Sequence, residues 1–132
     1  GAEGWQLSNP PIFAMAPMRA SLEIFHEAGM PALRRKSLAL TAYLEALIRQ
    51  ELGDVLRSVT PDDPEQRGCQ LSLQVRAGRD AGRRLFEHLM QSGVIGDWRE
   101  PDVIRLSPTP LYNRFSDCLG AVRHIKQWAG SA

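Results

Sequence analysis

The sequence is poor in cysteine and has no long hydrophobic run, and each scarcity excludes a class of protein. The only cysteines in 132 residues, Cys69 and Cys118, cannot form the disulfide framework of a small secreted domain. No apolar segment approaches the roughly 18 residues of a membrane-spanning helix, so we expect no membrane partner. The chain also begins without the basic and then apolar pattern of a signal peptide. Two reduced thiols and no secretory signal predict a cytoplasmic protein.

An excess of charge of one sign is absent as well. Sixteen basic residues oppose fifteen acidic residues, which gives a formal net charge of +1. Proteins that bind nucleic acid usually concentrate basic residues on one face, because phosphate neutralisation supplies most of their affinity. We therefore expect no nucleic-acid partner. Only Lys36 and Lys126 are lysines, so any chemistry that requires a lysine amine has two candidates.

The composition is that of an ordinary globular domain. Hydrophobic residues make up 43% of the chain and charged residues 23%, and the length is usual for one domain. A chain of this size can bury about two thirds of its unfolded surface. We therefore expect a hydrophobic core that needs no disulfide to stabilise it.

The first part of the chain predicts an extended leader followed by two helices. Residues 1–11 are polar, rich in glycine and end in two prolines. Apolar residues then recur every three or four positions, which is the period of one helix face. Gly29 separates the first helix from the second. If the first helix starts at Pro11, Pro17 lies in its interior and should kink it. If the helix starts near Ala14, Pro17 lies in the first turn, where a proline costs little stability.

The rest of the chain predicts a ββαββα unit. Short alternating or β-branched segments predict strands, and longer segments of helical period predict helices. The predicted strands are residues 55–59, 69–75, 94–97 and 103–106, and the predicted helices are residues 78–92 and the segment after Asn113. Such an order is typical of a small, largely antiparallel sheet of three or four strands with helices on one face. The predicted fold class is therefore α+β in two layers, preceded by two helices.

Familiar catalytic and metal-binding motifs are missing. The three histidines lie far apart in helical segments and do not have the spacing of zinc ligands. No glycine-rich phosphate loop follows a predicted strand, and no serine or cysteine has the context of a catalytic nucleophile. We therefore expect no metal site, no cofactor site and no catalytic residue in this sequence.

The leader holds the first segment suited to ligand binding. Ser8 and Asn9 precede two prolines, which restrict the backbone and let a hydroxyl and an amide be presented at low entropic cost. The alternative is structural: Ser8 or Asn9 caps the following helix, and Trp5 packs beside it.

Arg105 is the second candidate. It lies between Ile104 and Leu106 on a predicted strand, and neighbouring residues of a strand point to opposite faces. If Ile104 and Leu106 face the core, Arg105 faces away from it. A guanidinium on a rigid strand can hold a carboxylate through two parallel hydrogen bonds. The alternative is an arginine that is merely solvated.

Four segments in this order resemble the C-terminal domain of kynureninase. They are residues 4–12 (GWQLSNPPI), 67–71 (RGCQL), 93–97 (GVIGD) and 104–113 (IRLSPTPLYN). The resemblance runs from about Gly4 to about Trp128, which is nearly the whole chain. Four collinear segments form a far more specific signal than any one of them.

The resemblance implies a part of a pyridoxal 5'-phosphate enzyme of the aspartate-aminotransferase fold type. Kynureninases hydrolyse L-kynurenine to anthranilate and L-alanine, a step of tryptophan catabolism and NAD biosynthesis. The family's large domain carries the lysine that binds the cofactor, and no segment of this sequence matches it. The resemblance therefore implies a C-terminal small domain at residues 12–132, with residues 1–11 as a leader that contributes a substrate loop.

The resemblance also implies roles for the two candidate segments. Arg105 matches the family arginine that binds the α-carboxylate of kynurenine, and Asn9, with Ser8 beside it, matches the loop that borders the substrate's aromatic ring. The implied partners are the enzyme's own large domain and the second subunit of a homodimer, and the domain is expected to be inactive alone. Two other interpretations stay open. One is a stand-alone module that binds a small carboxylate or a partner protein, and the other is the small domain of another pyridoxal-phosphate enzyme.

Overall fold

The chain divides into two units, an N-terminal unit of Gly1–Leu33 and a C-terminal unit of Arg34–Ala132. The structure, a computed structural model, describes residues 1–131. The division between the units falls after Leu33. The sequence predicts a different division, between a leader at residues 1–11 and a small domain at residues 12–132, and that division stays a prediction. Each unit is described in turn. No helix among the described residues is long and apolar enough to cross a membrane.

The N-terminal unit consists of a short 3-10 helix at Ala2–Trp5, an exposed segment, and helix α1 at Ile12–Ala28. The prediction of a wholly extended leader is wrong at the 3-10 helix, because the backbone N–H of Gln6 already donates to the carbonyl of Glu3 at 3.1 Å. Gly29, with a positive φ of 76°, ends α1. A positive φ strains other residues but not glycine.

Helix α1 includes Pro17 in its interior. The alternative of a start near Ala14 is wrong, because the N–H groups of Ala14 and Met15 already donate to the carbonyl of Pro11 at 3.0 Å. Proline has no N–H, so one intrahelical hydrogen bond is missing at this point. No residue of α1 is buried.

Apart from a short 3-10 helix at Pro64–Gln66, three α-helices and four strands follow. They are α2 at Met30–Glu51, β1 at Leu56–Ser58, β2 at Leu71–Val75, α3 at Arg79–Gln91, β3 at Asp97–Arg99, β4 at Val103–Leu106 and α4 at Phe115–Ser131. The strands form one antiparallel sheet in the order β1-β2-β4-β3. The predicted α+β class and the ββαββα order are confirmed.

The strand predicted at residues 94–97 is displaced. The structure places β3 at Asp97–Arg99, and the backbone of the segment before it forms a hydrogen bond with the C-terminal turn of α3. The backbone N–H of Val94 donates to the carbonyl of Leu89 at 2.9 Å, which caps the C-terminus of α3. Because the cap uses this backbone, the strand begins three residues later than predicted.

The core lies on one face of the sheet. In β2, Leu71, Leu73 and Val75 are buried, and the residues between them are half-buried, as the alternation of the sequence predicts. Side chains of α2, α3 and α4 join the same hydrophobic cluster, whose helical members are Leu40, Leu44, Ile48, Leu85, Leu89, Cys118, Val122 and Ile125. The opposite face of the central strands, called the polar face below, carries Ser72, Gln74 and Arg105 together with Val103.

Trp98 of β3 lies against a glycine of α3. A Cβ added at Gly82 would lie 3.0 Å from Cη2 of Trp98 and 3.3 Å from a methyl of Val75. Trp98 also packs against Phe86, with the ring centroids 6.1 Å apart. Gly82 therefore permits the close approach of α3 to the sheet.

We expect Gly82→Ala to lower the free energy of unfolding of the chain by about 1 kcal/mol, because the new methyl displaces Trp98. Gly120→Ala is the matched control, since it changes a glycine inside α4 whose added Cβ would meet nothing within 4 Å. The control should raise stability by up to about 1 kcal/mol through its better helix propensity. Urea unfolding measures both, and equal stabilisation by the two variants would contradict the packing role of Gly82.

Candidate functional site

Arg105 lies in the middle of the polar face of the sheet. In the register of the strands it is directly opposite Ser72 of β2 on one side and Asp97 of β3 on the other. Directly opposed residues of antiparallel strands project to the same face. Ile104 and Leu106 are buried in the core, which confirms that Arg105 faces away from it.

The guanidinium of Arg105 is paired with Asp97. Its Nε donates to Oδ2 of Asp97 at 2.5 Å, and Nη2 contacts the same oxygen. Nε of Arg99 lies 2.9 Å from that oxygen as well. The hydrogen bond from Arg105 lowers the pKa of the Asp97 carboxyl below its ordinary value, so this carboxylate is ionised at neutral pH.

The pairing leaves part of the guanidinium available. A guanidinium has a side edge, formed by Nε and Nη2, and an end edge, formed by Nη1 and Nη2, with five N–H donors in all. Asp97 takes the side edge, and Nη1 has no hydrogen-bond partner within residues 1–131. The Arg105 side chain is 29% exposed. The end edge can therefore donate two parallel hydrogen bonds to a second carboxylate.

Ser72 and Gln74, which share the face of Arg105 on β2, have hydrogen-bond partners of their own. Nε2 of Gln74 donates to Oδ2 of Asp102 at 3.0 Å, and Nε2 of Gln70 lies 3.4 Å from Oγ of Ser72. The carboxylate of Asp102 is therefore directed toward Gln74. Within residues 1–131, the carboxylate that pairs with Arg105 is that of Asp97.

Ser8 and Asn9 are exposed on the segment before α1. Nε2 of Gln6 donates to the backbone oxygen of Ser8 at 2.8 Å. The structural alternative for this segment is wrong, because the N-cap of α1 is Pro11 without a side-chain hydrogen bond, and Trp5 is 87% exposed. Ser8 and Asn9 belong to the N-terminal unit and Arg105 to the C-terminal unit, so the two predicted segments lie on separate units.

Neither lysine fits a pyridoxal-phosphate site. Nζ of Lys36 donates to the carbonyl of Pro110 at 2.7 Å, and Nζ of Lys126 lies 2.9 Å from Oε2 of Glu51. Both lysines are exposed, whereas a Schiff-base lysine has to be desolvated and positioned against the cofactor. Among residues 1–131 there is also no group of three or more side chains that could hold a metal ion.

A cavity of about 570 Å³ lies elsewhere, against α4 and the ends of β4 and α3. Arg105 does not line it. Its polar lining groups at the start of α4 serve the local structure: Oδ1 of Asn113 accepts from the N–H of Thr109 at 2.8 Å, and Oδ2 of Asp117 accepts from the N–H of Arg114 at 2.9 Å. The first bond closes the turn before α4, and the second is one half of a capping box at the start of α4. Both groups are thus engaged, which leaves the polar face of the sheet as the better candidate site.

Arg67, in one of the four segments that carry the resemblance, forms a nearly buried ion pair. Its Nη2 lies 2.6 Å from Oε2 of Glu45 on α2, and the two side chains are 6% and 14% exposed. Nη1 of Arg67 donates to the carbonyl of Pro61 at 3.1 Å. Arg34 donates to the carbonyl of Arg67 at 3.2 Å. The pair therefore fastens the loop before β2 to α2, a contact between residues 22 positions apart that the sequence does not reveal.

We expect Glu45→Gln to lower the free energy of unfolding at neutral pH by about 2 kcal/mol, because it leaves a nearly buried guanidinium unpaired. The hydrogen bond from Arg67 lowers the pKa of Glu45. The contribution of this pair is therefore full above the ordinary carboxyl pKa and is lost as the pH falls through the lowered value. The difference between the parent chain and the variant should shrink over that range, which chemical unfolding at several pH values measures. Glu87→Gln, which removes an exposed pair with Arg83, is the control, and an equal effect of the two variants would contradict the role of burial.

Comparisons with known proteins agree with one another. The family model for the kynureninase C-terminal domain matches residues 33–125. The kynureninase of Stenotrophomonas maltophilia (strain K279a) is 65% identical over 130 residues, which are 98% of this chain and 31% of that protein. The kynureninase of Xanthomonas campestris pv. campestris (strain B100) is 63% identical over 131 residues, which are 99% of this chain and 31% of that protein. The chain thus spans less than a third of the length of these curated relatives.

Proposed function

Because the chain belongs to the kynureninase family as its C-terminal domain, we propose that it supplies substrate-binding residues for the hydrolysis of L-kynurenine to anthranilate and L-alanine. The reaction is proposed for the complete enzyme, since the chain spans 31% of its relatives. The observation that carries the proposal is the free end edge of Arg105 on the polar face of the sheet.

In this proposal the end edge of Arg105 binds the α-carboxylate of kynurenine. Two parallel charged hydrogen bonds fix both the position and the plane of a carboxylate. Arg105 belongs to a strand that is paired on both sides, and its neighbours Ile104 and Leu106 are buried, so we expect its backbone to be held in place. Such positioning lowers the entropic cost of reaching the transition state.

We propose that Asn9, with Ser8 beside it, borders the aromatic ring of the substrate. Two observations support this role: both residues are exposed, and neither caps α1. An amide and a hydroxyl can hydrogen-bond to polar substituents of the ring, while the following prolines limit the entropy lost on binding.

The cofactor belongs to the complete enzyme in this proposal. Pyridoxal 5'-phosphate would supply the electron sink for cleavage of the bond between the β and γ carbons of the substrate's side chain. Lys36 and Lys126 do not fit the role of its lysine, so we place its binding residues outside these 132 residues. The chain's own part is to bind and orient the substrate.

The proposed protein partners are the enzyme's large domain and a second subunit of a homodimer. Helix α1 supports this proposal, because Met18 and Leu22 on one of its faces are each 59% exposed. Exposed apolar groups at helical spacing are typical of an interface.

A cytoplasmic location is supported by Cys69 and Cys118, which are both free.

We expect the 132-residue chain to be inactive by itself, because its lysines are unsuited to form the cofactor's Schiff base. The test is to mix the purified chain with pyridoxal 5'-phosphate and L-kynurenine and to follow the fluorescence of anthranilate. The complete enzyme is the positive control. Anthranilate formation by the chain alone would contradict the proposed division of labour.

In the complete enzyme, we expect Arg105→Lys to raise the KM for L-kynurenine by about tenfold or more, since lysine cannot form two parallel hydrogen bonds from a planar group. Steady-state kinetics give the result. Arg83→Lys is the matched control, because Arg83 forms an exposed pair with Glu87 on α3. A KM that changes equally little in both variants would refute the role of Arg105.

A further inference from the structure

We propose that Asp97 is a positioning residue for the substrate: it holds the side edge of Arg105 so that the end edge is presented to the substrate carboxylate. This inference rests on the proposed function of Arg105 and extends it to a second residue. It assigns a role to a carboxylate that does not itself touch the substrate.

The first argument is the register of the sheet. Asp97 and Arg105 are direct partners in the antiparallel pairing of β3 with β4, so both side chains leave the same face at neighbouring positions. The contact is therefore built into the backbone pairing and does not depend on a flexible loop. Nε of Arg105 donates to Oδ2 of Asp97 at 2.5 Å.

The second argument is the close approach of the two strands next to this pair. A Cβ added at Gly96 would lie 3.2 Å from the backbone oxygen of Arg105 and 3.2 Å from a methyl of Leu106. This is tighter than ordinary van der Waals contact, so any larger residue would require the neighbouring atoms to shift. Gly96 thus lets the residue that follows it, Asp97, lie within hydrogen-bonding distance of Arg105.

The third argument is that Asp97 is itself held in place. Nε of Arg99, two residues along the same strand, lies 2.9 Å from Oδ2 of Asp97. Residues two apart on a strand share a face. The carboxylate therefore lies between two guanidinium groups, and this restricts its rotation.

The choice of edge distinguishes positioning from competition. A carboxylate that competed with the substrate would occupy the end edge, where Nη1 and Nη2 can both donate. Asp97 instead contacts Nε and Nη2 through one oxygen. A substrate carboxylate and Asp97 can therefore bind the same guanidinium together, and the second hydrogen-bonded partner fixes the plane of the first.

The test uses the complete enzyme with Asp97→Ala, Asp97→Asn and Arg105→Ala, and with the double variant of Asp97→Ala and Arg105→Ala. We expect Asp97→Ala to raise the KM for L-kynurenine by about tenfold, by analogy with the lower end of the loss seen when a residue that orients a metal-binding side chain is removed. Asp97→Asn should restore part of the effect, because its amide oxygen still accepts from Nε. In the Arg105→Ala background, removal of Asp97 should change KM by less than about twofold, since a positioning residue acts only through its partner.

Glu100→Gln is the matched control. Glu100 directly follows β3 and accepts two hydrogen bonds from Arg79, at 2.9 and 3.1 Å, and it has no contact with Arg105 among the hydrogen bonds and ion pairs of residues 1–131. The Glu100→Gln variant loses the ion pair with Arg79, and we expect its KM to be unchanged. Thermal unfolding of each purified variant shows which changes in KM accompany a loss of fold.

The outcomes separate the two proposals. If Arg105→Ala raises KM and Asp97→Ala does not, the positioning role is wrong and the role of Arg105 stands. A fall in KM on removal of Asp97 would show competition, and additive effects of the two changes would show an independent role; either result overturns the inference. If Arg105→Ala leaves KM unchanged, the proposed function itself fails.

Discussion

The alternation of side chains along β4 is the constraint on which the site depends. Ile104 and Leu106 are 2% and 5% exposed, and their burial determines the face on which Arg105 emerges. A slip of one residue in the register would move the charge into the core and both apolar side chains into water. The hydrophobic core therefore positions the guanidinium with the same contacts that stabilise the sheet, and β2 and β3 hold the strand on both sides.

The sequence predicts the parts of the fold that have a strong period. The alternation at β2 and β4 and the apolar stripes of the helices identify these elements, since core burial requires such patterns. It misplaces β3 because the backbone before this strand caps α3 through Val94. A cap made by backbone groups leaves little trace in residue types, so this displacement could not be predicted from local propensity.

The candidate site is predictable only in part, for a similar reason. Arg105 stands out because a charged residue interrupts an apolar strand. Asp97 does not, because its significance lies in the pairing of β3 with β4, and the register of two short strands is not encoded in either strand alone. The same holds for Glu45 and Arg67, which meet across 22 positions of sequence. Membership of the kynureninase family came from four collinear segments and from the matching family model, and not from the physics of any single residue.

The packing of Trp98 has a practical consequence. Its indole lies against Phe86 and beside the guanidinium of Arg83, and its Nε1 donates to Glu100 at 3.2 Å. It also directly follows Asp97 in the chain. Because the indole directly follows the carboxylate that pairs with Arg105, a shift of this strand would change the surroundings of the ring and with them its share of the chain's tryptophan emission.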